Sequence, residues 1–108
     1  MIKSSEFIRG YSEILVLALL NKKDSYVYEL VQMIEELTDG RVVISNPSLL
    51  IIIRKMQEEN KVSSYEKEND KGVFRKYYKL TDYGKEYYKK MKEEYLKSLI
   101  SMEKIIKG

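Results

Sequence analysis

The sequence has no cysteine, no histidine and no tryptophan, and a single proline among 108 residues. Without cysteine there is no disulfide framework, no thiolate ligand for a metal and no thiol nucleophile; without histidine there is no imidazole base. The carboxylates that remain are scattered among lysines, with no pair placed for acid–base work. No catalytic residue, metal site or cofactor is therefore assigned, and an enzyme is not expected. Long apolar runs are missing as well. The longest, Ile14–Leu20, falls well short of the roughly 20 residues that cross a bilayer. Asn21-Lys22-Lys23-Asp24 follows it, where a leader peptide would carry small residues. No membrane partner is expected, and the compartment expected is the cytoplasm.

What is present suits one globular domain: 44% hydrophobic and 34% charged residues in a chain of 108. The net charge of +3 permits a nucleic-acid partner without requiring one, so the placement of the charges decides. That placement is most informative between Lys71 and Gly84. Asn69-Asp70-Lys71-Gly72 is a turn signal, because glycine tolerates positive φ and Asn and Asp bond their own backbone. Val73 to Leu80 are β-branched, aromatic or basic, and as a strand they place Arg75, Tyr77 and Lys79 on one face and Phe74, Lys76, Tyr78 and Leu80 on the other. Val62–Lys67 supplies the partner strand. Thr81 then reads as an N-cap and Asp82 as a first-turn acid, opening a helix that runs to about Ile106.

Upstream, Ser4 or Ser5 caps a first helix ending near Asn21. Its apolar residues surround it rather than stripe it, which calls for cover on all sides and so for a second subunit. Asp24-Ser25 caps a second helix from Tyr26 to about Leu37, with Tyr26, Leu30, Met33, Ile34 and Leu37 inward. Gly40 supplies its left-handed ending. Arg41–Ile44 reads as a brief strand closing the sheet. Ser45 or Asn46 caps a third helix with Pro47 in its first turn, and Leu49, Ile52, Ile53 and Met56 form its core face. Leu50 and Ile51 are left over, an oddity for a helix meant to lie in a polar groove. In the last helix Tyr88, Met91, Tyr95, Leu99, Met102 and Ile106 recur at steps of three and four, a seam awaiting a partner helix.

A helix followed by a basic hairpin and a long helix defines the expected fold: α+β, a winged helix-turn-helix head over 1–81 with a C-terminal dimerisation helix over 82–108. Between Lys61 and Lys79 six basic residues face three acidic ones, as suits a wing that follows a phosphate backbone. The candidates there are Lys71, Arg75 and Lys76. On the third helix Ser45, Asn46, Ser48 and Ile51 are placed toward base edges, where Asn can meet adenine and an apolar group the thymine methyl, with Arg54 and Lys55 nearer the phosphates. The plainer alternatives are a solvated hairpin, and serine and asparagine that merely cap.

Three stretches resemble the PadR-like winged helix-turn-helix regulators, in particular short members with one C-terminal helix. They are Tyr26-Val27-Tyr28-Glu29-Leu30; Ser48-Leu49-Leu50 through Arg54-Lys55-Met56-Gln57-Glu58-Glu59-Asn60; and Arg75-Lys76-Tyr77-Tyr78-Lys79-Leu80-Thr81-Asp82-Tyr83-Gly84. Leu50 stands where that family usually has Tyr, and Asn60 where it usually has Gly. The resemblance implies a homodimeric transcriptional regulator, a repressor, bound to double-stranded DNA at an inverted repeat. It also implies a flat apolar pore between subunits for a planar apolar or cationic small molecule, lined by Ile14, Tyr88, Met91, Tyr95 and Leu99; simple packing of a dimer seam is the alternative for those residues. Competing functions are a plasmid- or phage-type accessory protein for partition or transfer, and a winged-helix protein-interaction module without DNA binding.

Overall fold

In chain order the elements are α1 (Ser12–Lys22), α2 (Val27–Leu37), α3 (Asn46–Glu58), β1 (Val62–Glu68), β2 (Phe74–Leu80) and α4 (Asp82–Lys107), in a computed structural model that describes residues 11–108. The expected start of the first helix at Ser4 or Ser5 lies outside the described residues. Val16, Leu17 and Leu20 of α1, Leu30 and Ile34 of α2, and Leu49, Ile53 and Met56 of α3 close one core with Ile44, Val62, Tyr78 and Leu80. Leu15 and Leu19 stay partly exposed around α1, so the head buries one side of that helix fully and leaves the other half-covered.

Local chemistry sets the element boundaries. Ser45, not Asn46, caps α3: its Oγ accepts from the Ser48 N–H at 3.2 Å. Asn60, at φ 62°, ends α3 in the left-handed region, with the Lys61 N–H donating to the Met56 carbonyl and the Asn60 N–H to that of Gln57, a Schellman closure. The end of α2 takes two left-handed residues, Asp39 and Gly40. Asn69 Oδ1 accepts from both Lys71 N and Val73 N, shaping the turn between the strands.

β1 and β2 pair antiparallel from Val62–Leu80 at the base to Glu68–Phe74 at the tip. The expected strand at Arg41–Ile44 does not form. The Val42 N–H is taken by the Thr38 hydroxyl at 3.0 Å, and Ile44 turns into the core. The outer edge of β2 is met instead by Ser25, through Ser25 N to Tyr78 O and Tyr78 N to Ser25 O. Ser25 is thereby a rung of the sheet rather than a cap, and α2 starts at Val27, without a side-chain cap. Leu37, expected inward, is 69% exposed, because α2 outlasts the core it packs on.

The N-terminal half of α4 packs on the head, with Tyr87 and Tyr88 against the core and Tyr95 reaching Tyr11. Thr81 Oγ1 caps the helix through the Gly84 N–H and donates to the Asn60 carbonyl. Gly84 is buried, and a Cβ there would collide with the Lys61 carbonyl oxygen. Helix propensity alone would favour alanine at this position by about 1 kcal/mol. The backbone clash reverses the sign: Gly84→Ala is expected to destabilise the protein by about 1–3 kcal/mol or more, read as a lowered midpoint in thermal or urea unfolding. An unchanged or raised midpoint would show that helix and head are not in hard contact.

Candidate nucleic-acid interface

Where the start of α2, the exposed side of α3 and the wing converge, an open cleft of about 630 Å³ is lined by residues that include Tyr26, Tyr28, Asn46, Leu50, Arg54, Arg75 and Lys76. No carboxylate stands among its lining residues. Four of the sequence candidates thus come together: Asn46 in the first turn of α3, Arg54 two turns on, and Arg75 and Lys76 from β2. Lys71 sits apart, on a smaller cleft nearer the wing tip that it shares with Tyr28, Asp70 and Arg75. Ser45 at the cap, and Ser48 and Lys55 on α3, are exposed outside the cleft. The Ser45 hydroxyl donates to that of Ser48 at 2.8 Å while its oxygen caps the helix, so Ser45 serves the cap first.

Antiparallel register places Lys67 directly across from Arg75. Like charges in that position repel. Two aromatic rings reduce the repulsion: the Lys67 ammonium lies 5.2 Å from the Tyr77 ring centre, and the Arg75 guanidinium 5.7 Å from that of Tyr26. Tyr77 is in turn stacked on Tyr65 and edge-on to Tyr26. This aromatic layer explains why Tyr77, on the sheet face opposite Tyr78, is nonetheless buried. A surface that holds two cations side by side in this way suits a polyanion.

The layer is tied to the head by the Tyr65 hydroxyl, which donates to Asp24 at 2.6 Å. That hydrogen bond, with burial adding to it, pushes the Tyr65 pKa up from 10.0 to about 12. The sequence placed Tyr26 inward on its helix and gave neither it nor Tyr28 a part in this site. The signal was available in two tyrosines spaced by two at a helix start, ahead of a basic strand. No helix among the described residues is long and apolar enough to cross a membrane.

The seam candidates lie elsewhere. Tyr88 and Ile14 are half-buried, while Met91, Tyr95 and Leu99 follow along α4. Tyr95 packs edge-on against Tyr11 of the same chain, ring centres 5.4 Å apart, and burial, with Tyr11 beside it, raises its pKa. Beyond it Leu96, Ile100, Ile105 and Ile106 are exposed, the last two at 82% and 83%.

Helices α2 and α3 with a two-stranded wing beside α3 make this a winged helix-turn-helix protein. The chain belongs to the PadR-like family of transcriptional regulators, whose model matches residues 16–90. It is similar to a transcriptional regulator from Clostridium thermocellum, at 33% identity over 95% of this chain and 97% of that one, with a TM-score of 0.81. A PadR family transcription regulator from Clostridium difficile is 30% identical over 89% of this chain and 98% of its own, with a TM-score of 0.76. A PadR-like transcriptional regulator from Bacillus cereus superposes with a TM-score of 0.85 at 25% identity, over 96% of this chain and 99% of that chain.

Tyr65 gives this site a pH signature. Its folded pKa lies above its ordinary value of 10.0, so the bond to Asp24 contributes fully below pH 10 and is lost as pH rises toward about 12. Tyr65→Phe should lose less stability than the wild type across that interval in urea melts at stepped pH. Parallel losses in the two proteins would mean that the hydroxyl contributes nothing.

Proposed function

We propose that this protein is a dimeric DNA-binding repressor. It lays α3 in the major groove, follows the flanking backbone with its wing, and occludes a promoter by binding an inverted repeat. The observation that carries this reading is the cleft in which Asn46, Arg54, Arg75 and Lys76 meet with no carboxylate in its lining, Glu66 lying across the hairpin from Lys76. Cations from two separate elements then face one polyanion, and the neutral amide of Asn46 is left for base edges. Duplex DNA is favoured over a protein partner by the Lys67–Arg75 juxtaposition, whose remaining repulsion a dense array of negative charge relieves.

The partner for the far half of α4 is a second copy of the chain. Twenty-six residues of helix extend about 39 Å, past the head that its N-terminal half packs on, and the apolar side chains beyond Tyr95 remain in water. Tyr95 is already engaged by Tyr11, which favours a seam packed as a protein surface over an open slot for a planar molecule. Two heads joined there present two α3 helices, which an inverted repeat about 34 Å between half-site centres would accept.

Selection of bound fragments from random duplexes tests the DNA reading. A palindromic site is expected, with affinity that falls steeply with salt. Arg75→Ala combined with Lys76→Ala should weaken binding to all sequences alike and flatten the logarithmic salt slope by about 0.9 per lost phosphate contact. Affinity independent of salt would point instead to a protein-interaction module. For the dimer, Leu99→Glu is expected to yield monomers or aggregates in sedimentation, since an unpaired charge buried in a seam costs several kcal/mol. A wild type that is monomeric at micromolar concentration would end the paired-site reading.

A further inference from the structure

We infer that Ile51 reads a thymine methyl at a fixed position in each DNA half-site and is the main apolar specificity determinant of α3. This rests on the DNA-binding reading above and names what the helix recognises. Ile51 is 70% exposed at the middle of the helix, an apolar side chain on the face that the head leaves in solvent. It stands between the two groups best able to meet a base edge or a phosphate, with Asn46 in the turn before it and Arg54 in the turn after. Pro47 or Ser48, Ile51, Arg54 or Lys55, and Glu58 recur at steps of three and four, and all of them are exposed. They form the outward ridge of α3, with Ile51 at its centre.

The serines cannot share that task equally. Ser45 Oγ accepts from the Ser48 N–H and donates to the Ser48 hydroxyl, so reading by Ser45 would undo the helix cap and Ser48 keeps only its own O–H to offer. Ile51's neighbours Arg54, Arg75 and Lys76, gathered at the adjoining cleft, commit the surface to nucleic acid rather than to an apolar protein partner. Within the major groove the base edges project one apolar group, the C5 methyl of thymine. Against a cytosine, guanine or adenine edge an isoleucine would strip water from polar groups without giving them a hydrogen-bond partner. Half-sites should therefore place thymine under Ile51.

Replacing thymine by deoxyuridine deletes that methyl and leaves every hydrogen-bonding group in place. With the palindromic site obtained by selection, each thymine of a half-site is exchanged singly and affinity is measured at fixed salt. At one thymine per half-site the wild type should bind about fourfold more weakly, the factor given by ~0.8 kcal/mol for one buried methyl-sized group. Ile51→Ser should bind the thymine and uracil duplexes equally while keeping the wild-type salt slope, and Ile51→Val should retain the discrimination. If no thymine is methyl-sensitive in the wild type, or if Ile51→Ser keeps the penalty, the assignment is wrong while DNA binding stands. If no duplex is bound even at about 50 mM salt, both readings fall together.

Discussion

One buried lysine holds the architecture together. Lys61, 6% exposed, sits where α1, the end of α3 and the start of α4 meet. Its ammonium is 2.8 Å from Glu13 and 3.0 Å from Glu59, and lies 3.7 Å from the centre of the Tyr87 ring. Burial alone would pull its pKa down, but the hydrogen bonds to Glu13 and Glu59 outweigh it and hold the ammonium above its ordinary range. Both glutamates keep partial contact with water, so the charge is compensated without two further ions being fully desolvated. The backbone of the same residue does as much: its carbonyl accepts from Thr81 and packs against Gly84. Three helices are thus referred to a single residue at the strand entrance.

Everything functional is measured from that junction. The wing begins at Val62 and α4 begins at Asp82, immediately after Leu80 has paired back to Val62. The hairpin is therefore a closed excursion whose two ends are pinned together, and its tip is free to extend over a nucleic acid. Asp24 and Ser25 hold the other side, the former through the Tyr65 hydroxyl and the latter through its bridge to Tyr78. Between these anchors lies the cleft that gathers Arg54, Arg75 and Lys76.

Much of this was legible in the sequence because its causes are local. Asn69 and Gly72 mark their own turn, Thr81 caps its own helix, and Asn60 takes the left-handed ending that its position implied. The candidates Asn46, Arg54, Arg75 and Lys76 could be placed because helix and strand periodicity determine which residues share a face. What escaped depended on meetings across the fold. A one-residue bridge at Ser25 has no period to detect, and a β-branched run at Arg41–Ile44 carried the strand signal without the partner. Burial of Lys61 follows from three elements converging, and nothing in its neighbours along the chain distinguishes it from the solvated lysines. Tyr26 owes its place under Arg75 to the same bridge that displaced the cap.

The close seat of Gly84 on Lys61 has a mechanical consequence. From Gly84 to Ile106 the helix is a stiff rod of about 33 Å, at ~1.5 Å per residue. A tilt of about 5° at its root would carry the far end sideways by about 3 Å, more than half the spacing of one helical turn. A side chain at residue 84 would act as a shim at the point of greatest leverage. Its absence lets backbone bear directly on backbone, and that contact, with Tyr87 and Tyr88 on the core and Tyr95 on Tyr11, sets the aim of the rod.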